Sequence, residues 1–166
     1  MRLGDGDNAI TLHVVGYQFP DAEDPRKRYS WHDIAGCARD RTGAWAFRGP
    51  WLACDETPRV SGWLRQAAAW LDEAPASRPE PPAPIRFTDP NLQFAVAPSG
   101  ETPTLCVGLD LEFRPPWARD RRGAGWPYNL YVPISAEHVR QAADDWDLDL
   151  DLYPDLYPYP SGRPDA

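Results

Sequence analysis

The chain has 166 residues, 42% hydrophobic and 12% aromatic, with a formal net charge of −8. That length suits one domain with a core large enough to need no metal or disulfide staple, and the composition excludes a disordered chain. Its apolar runs are too short to span a membrane as a helix, and the acidic balance argues against nucleic acid or an anionic membrane as direct partner.

In chain order, Ala9 to Tyr17 alternates Ile10, Leu12 and Val14 with Thr11 and His13, which predicts a half-buried strand. Gln18 to Arg28 reads as a charged loop with Pro20 and Pro25. Ser30 to Arg39 and Ala44 to Arg48 read as strands around a turn at Asp40-Arg-Thr-Gly43, with Trp45 and Phe47 sharing a face. Pro50 to Cys54 continues as a short strand.

Thr57-Pro58 supplies an N-cap hydroxyl and a first-turn proline, and predicts a helix over Pro58–Glu73. Val60, Leu64, Ala67, Ala68 and Leu71 keep helical spacing, and Trp63 and Trp70 widen the apolar face. Ala74 to Pro84 then places five prolines in eleven residues. Extended, such a segment crosses roughly 30 Å, and it reads as a crossover inside one domain, since neither side alone carries a complete core.

Strands are predicted at Ile85 to Thr88, Leu92 to Ala97, Thr104 to Phe113 and Trp126 to Ile134. Turns fall at Asp89-Pro-Asn91 and Pro98-Ser-Gly100. Within Thr104–Phe113, Leu105, Val107, Leu109, Leu111 and Phe113 point inward. Ser135 caps a second helix, Ala136–Trp146, with Val139, Ala142, Ala143 and Trp146 on its buried stripe. The following Asp147-Leu-Asp-Leu-Asp-Leu152 fits a strand by its alternation, although Leu150 also continues the helical stripe. The whole predicts an α+β fold: one antiparallel β-rich domain of about seven strands and two principal helices, spanning residues 1–152. An acidic, Tyr-Pro-bearing tail, residues 153–166, follows with Asp-Leu-Tyr-Pro written twice.

The residues offer little catalytic chemistry. His13, His32 and His138 share no ligand spacing, and His32 and Asp33, neighbours on a strand, point to opposite faces. Cys37, Cys54 and Cys106 are far apart and odd in number, and read as small buried hydrophobes in a reducing compartment. No serine elbow or phosphate loop is present. Neither catalytic residues, metal nor cofactor is therefore expected. The N-terminus lacks an apolar signal core, so cytoplasmic residence is expected.

Two acidic stretches with interleaved aromatics read as binding surfaces. One carries Asp144, Asp145, Asp147, Asp149, Asp151 and Asp155 beside Trp146, Tyr153, Tyr157 and Tyr159. The other carries Asp21, Glu23 and Asp24 between Phe19 and Trp31. Solvated tails are poor in aromatics, so these segments either pack on the body or meet a partner. A different reading makes Asp110, Glu112 and Arg114, near an Arg loop of Arg119, Arg121 and Arg122, the polar groups of an aromatic-lined small-ligand pocket. A solvated sheet face and an internally paired loop explain the same residues.

The order of motifs resembles the WapI-type immunity proteins and their actinobacterial relatives, antidotes to wall-associated contact-dependent toxins. The resemblance runs through Leu3-Gly-Asp-Gly-Asp-Asn-Ala-Ile-Thr-Leu, Val15-Gly-Tyr-Gln-Phe-Pro20 and Trp45-Ala-Phe-Arg48. It continues in Val60-Ser-Gly-Trp-Leu64, Phe87-Thr-Asp-Pro-Asn-Leu-Gln-Phe94, Pro115-Pro-Trp117, and Val132-Pro133 with Ala142-Ala143 and Trp146. It implies a non-catalytic protein that binds and neutralises a toxin domain. A basic, nuclease-like toxin would suit the acidic charge. The small-ligand-binding protein or enzyme remains the alternative.

Overall fold

The computed structural model describes residues 1–97, 103–119 and 127–156. The predicted turn at Pro98–Gly100, the Arg121/Arg122 part of the loop, Trp126, Tyr157 and Tyr159 lie outside the described residues. Two four-stranded antiparallel sheets carry the fold. The first orders β1 (Arg2–Leu3), β2 (Ala9–Tyr17), β3 (Trp31–Arg39) and β4 (Ala44–Ala53) side by side, and a four-residue helix α1 (Pro25–Arg28) interrupts the β2–β3 connection. The second orders β5 (Ile85–Arg86), β6 (Leu92–Ala97), β7 (Thr104–Leu109) and β8 (Tyr128–Pro133). Helix α2 (Pro58–Asp72) joins the two halves and packs against α3 (Ala136–Leu152).

The alternation read from the sequence sets the sheet faces. Ile10, Leu12 and Val14 of β2, Trp45 and Phe47 of β4, and Phe94, Val107 and Leu109 of the second sheet are buried. They share one core cluster with Val60 and Leu64 of α2 and Val139 and Trp146 of α3, so each half of the chain supplies surface that the other covers. Gly4, at φ +76°, turns the chain between β1 and β2 against β8. A Cβ there would stand 2.5 Å from both the Asn8 carbonyl oxygen and Val132 Cγ1, so the turn requires glycine.

Details of the strands and of the cysteines differ from the sequence expectation. A two-residue strand, β1, pairs Arg2 and Leu3 with Thr11 and Ile10, too short a segment to show alternation. Ala44–Arg48 and Pro50–Cys54 join as the single strand β4, whose register slips opposite His32/Asp33 and leaves Trp51 out of the pairing. The strand predicted to reach Phe113 stops at Leu109, where the Asp110 carboxylate accepts the Leu111 N–H at 2.7 Å and starts a 3-10 turn at Leu111–Phe113. Leu111 takes φ 47° and turns outward, so Asp110 and Glu112 do not share a strand face. Finally, Cys37 is exposed on β3, whereas Cys54 is buried.

The proline-rich crossover is tied to α2. Trp70 Nε1 donates to the Pro79 carbonyl at 2.8 Å and Trp63 Nε1 to the Ala83 carbonyl at 2.7 Å. The Arg78 guanidinium lies 4.5 Å over the Trp70 ring, and Trp63 stacks on Phe94 at 6.0 Å. Prolines offer carbonyls and no N–H, so a pair of indole donors is a fitting anchor for such a segment.

Candidate functional site

Helix α3 carries most of the predicted acids. The Ser135 hydroxyl accepts the His138 N–H at 3.3 Å and Glu137 stands in the first turn, where a negative charge complements the helix dipole. Val139, Ala142, Ala143 and Trp146, at helical spacing, are fully buried. The Trp146 indole N–H donates to the Thr57 carbonyl at 3.0 Å, which fixes α3 against the start of α2. The helix runs on to Leu152 rather than ending at Trp146, and the Asp/Leu alternation is helical. Leu150 stays on the core side, as its place on the stripe requires.

The structure gives the predicted acids of this segment different surroundings. Asp144 and Asp147, one turn apart, both reach Arg65 of α2 at 2.7 Å. Asp145 accepts from Gln141 Nε2 at 2.9 Å. Asp149 Oδ2 turns to the first sheet, where it meets His13 Nδ1 at 3.0 Å, the Val14 N–H at 3.3 Å and the Met1 ammonium at 4.0 Å. Asp151 is exposed. Asp155 is half-buried, close enough to Tyr17 and Cys54 to push both their pKa values up alongside the larger effect of burial.

Beyond α3 the chain docks on β2 and β3. His32, fully buried, donates from Nε2 to the Tyr153 carbonyl at 2.9 Å, with Nδ1 2.8 Å from the Thr57 hydroxyl oxygen. The Tyr17 hydroxyl donates to the Pro154 carbonyl at 2.6 Å. Burial holds the His32 pKa at about 4, the Tyr153 carbonyl bond offsetting part of that fall, and raises Tyr17 to about 12. The Tyr17 ring meets Tyr153 at 6.0 Å and Tyr29 at 5.1 Å. Through Tyr17 the structure joins the end of α3 to the β2–β3 connection, where Asp21, Glu23 and Asp24 are exposed. Asp24 also caps α1 by accepting the Arg26 N–H at 2.9 Å.

The residues of the small-ligand reading have local work. Asp110 pairs with Arg114 at 2.7 Å, and Glu112 accepts from the buried Asn91 at 3.0 Å. The aromatics around them fill space: Phe113 stacks on Phe47 at 4.0 Å, and Trp45 Nε1 donates to the Phe113 carbonyl at 2.9 Å. Open hollows of about 490, 330 and 280 Å³ lie elsewhere, and Asp110, Glu112 and Arg114 line none of these three. Among the described residues, no three His, Cys, Asp or Glu side chains come together in a way that could hold a metal ion. No helix among them is long and apolar enough to cross a membrane.

Sequence reasoning passed over three leucines. Leu148, Leu152 and Leu156 are 63%, 73% and 59% exposed, the first two one helical turn apart among the acids. Their signal was the Asp/Leu alternation itself: wound on a helix, it places Leu148 and Leu152 off the Val139–Trp146 stripe.

The described residues thus form an α+β domain that presents an acidic helix, α3, on its surface. The chain matches the Immunity protein WapI-like family over residues 1–154 and belongs to that family. No curated protein matches the sequence. Among solved structures it is similar to one titled "Structure of the plant transcriptional regulator PBF-2", with a TM-score of 0.39 and 10% identity over 89% of this chain and 78% of that one.

Proposed function

We propose that this protein is a non-catalytic immunity protein that acts in the cytoplasm by binding and occluding a basic, nuclease-like toxin domain. Membership of the WapI-like immunity family carries the reading. The acidic surface of α3 and of the β2–β3 connection supports the charge of the partner. An active site that attracts phosphate is positively charged, and an acidic inhibitor gains both faster encounter and complementary contacts. The exposed acids Asp151, Asp21, Glu23 and Asp24, with the half-buried Asp145, are the groups assigned to that surface. Asp144 and Asp147 contribute through the Arg65 bridge they share, and Asp149 by holding the helix end on the sheet, while Asp155 adds its charge from a half-buried place near Tyr17 and Cys54.

The test is to read the adjacent genes for a large secreted protein with a toxic C-terminal domain and to co-express that domain with this protein. Growth should be restored, and the purified pair should form a 1:1 complex whose association slows as salt rises. A stably expressed protein that neither restores growth nor binds that domain overturns the reading.

A further inference from the structure

We propose that Leu148 and Leu152 form the apolar anchor of the partner interface, and that the partner is a protein surface with an apolar hollow ringed by Arg or Lys. The inference rests on the toxin-binding reading and adds the part of the surface that grips. Leu148 and Leu152 lie one turn apart on the solvent side of α3, while Leu150 between them turns to the core. Leu148 also walls a hollow of about 280 Å³ beside Met1, Thr11 and His13, so the stripe borders a recess.

Charge selects the occupant. Asp145 and Asp151 flank the leucines on α3. A second copy laid on this face would set Asp against Asp in a site drained of water, where like charges repel most strongly. An anionic membrane is disfavoured by the same carboxylates. A basic protein surface turns that repulsion into attraction, with the leucines as the desolvated centre and the carboxylates as the rim.

The two parts have separable kinetics. Rim charges act on encounter and buried anchors on dissociation. The experiment measures binding of the toxin domain used in the co-expression test, inactivated at its catalytic residue, to wild type and to Leu148→Ala/Leu152→Ala. The double variant should dissociate about 10- to 100-fold faster with little change in association, as expected for anchor residues. The double variant should keep the wild-type Tm, because the side chains removed are exposed. If wild type binds tightly and the double variant dissociates at the same rate, the anchor is overturned and the immunity reading stands. If wild type fails to bind, both fall together. A wild-type dimer in sedimentation that the double variant dissolves assigns the face to a second copy and overturns the proposal.

Discussion

The Asp149 carboxylate accepts the Val14 N–H at 3.3 Å, joining residues 135 positions apart. It does so where β1 runs out: the Met1 ammonium bonds the Leu12 carbonyl at 2.8 Å, and one step further along β2 a side chain replaces the missing strand. A carboxylate from α3 thus completes the edge of a sheet. Asp149→Ala leaves that N–H without its acceptor and takes the counter-charge from the ammonium, and should destabilise by about 1–3 kcal/mol. Asp149→Asn, which keeps an oxygen there, should cost less. Urea unfolding of the pair measures both.

His32 makes stability depend on pH. Its pKa is about 4 in the fold against an ordinary 6.5, because burial disfavours the cation. Below pH 6.5 the unfolded chain therefore binds a proton that the folded chain refuses. The contribution is full above pH 6.5 and is lost as pH falls towards 4, a total of about 3 kcal/mol. Unfolding free energies at a series of pH values should show this loss, and His32→Gln should flatten it.

Leu111 sits at φ 47°, a conformation costly for a side chain with Cβ, and it is 53% exposed. Leu111→Asn should therefore stabilise by up to about 1 kcal/mol, a rise in Tm of roughly 2–4 °C. Leu111→Val, β-branched, should lower it. Calorimetry separates the two signs.

Asp149 and Asp151 occupy the last turn of α3, which has no basic residue, so negative charge faces the negative end of the helix dipole. Asp151→Asn should stabilise the isolated protein by about 0.3–1 kcal/mol. The same change, combined with Asp145→Asn, should slow association with a basic partner at low salt and matter less as salt screens the charges. Stopped-flow mixing at two ionic strengths reads the effect. Equal association rates for wild type and variant at low salt would remove these acids from the interface.

Local patterns carried much of the fold into view. Pro58 and Ser135 marked the helix starts, although the Thr57 hydroxyl, expected to cap α2, donates to the Ala53 carbonyl at 2.9 Å instead; the Leu92/Phe94/Val96 and Leu105/Val107/Leu109 alternations marked the inner sheet face. Thr104–Phe113 was read too long because Leu111 and Phe113 keep the beat of the strand, while the Asp110 side chain captures the next N–H and bends the chain away. The site was less legible. Nothing near Asp149 in sequence announces Val14, and nothing near Arg65 announces Asp144 and Asp147; those pairings arise only when α2, α3 and β2 meet. Leu148 and Leu152 were hidden by a period-two pattern that the structure winds as a helix.

The indole bonds that tie the crossover to α2 bear on how the two halves of this chain find one another. A flexible linker of similar length would let the β5–α3 half of one molecule complete the β1–α2 half of another, the exchange that yields swapped dimers. Here the connector is rich in stiff proline and is held at Pro79 and Ala83 by Trp70 and Trp63 of its own helix. Both donors must let go before the second half can travel. The clamp therefore favours closure within a single chain, so that each newly made molecule carries a complete acidic face of its own.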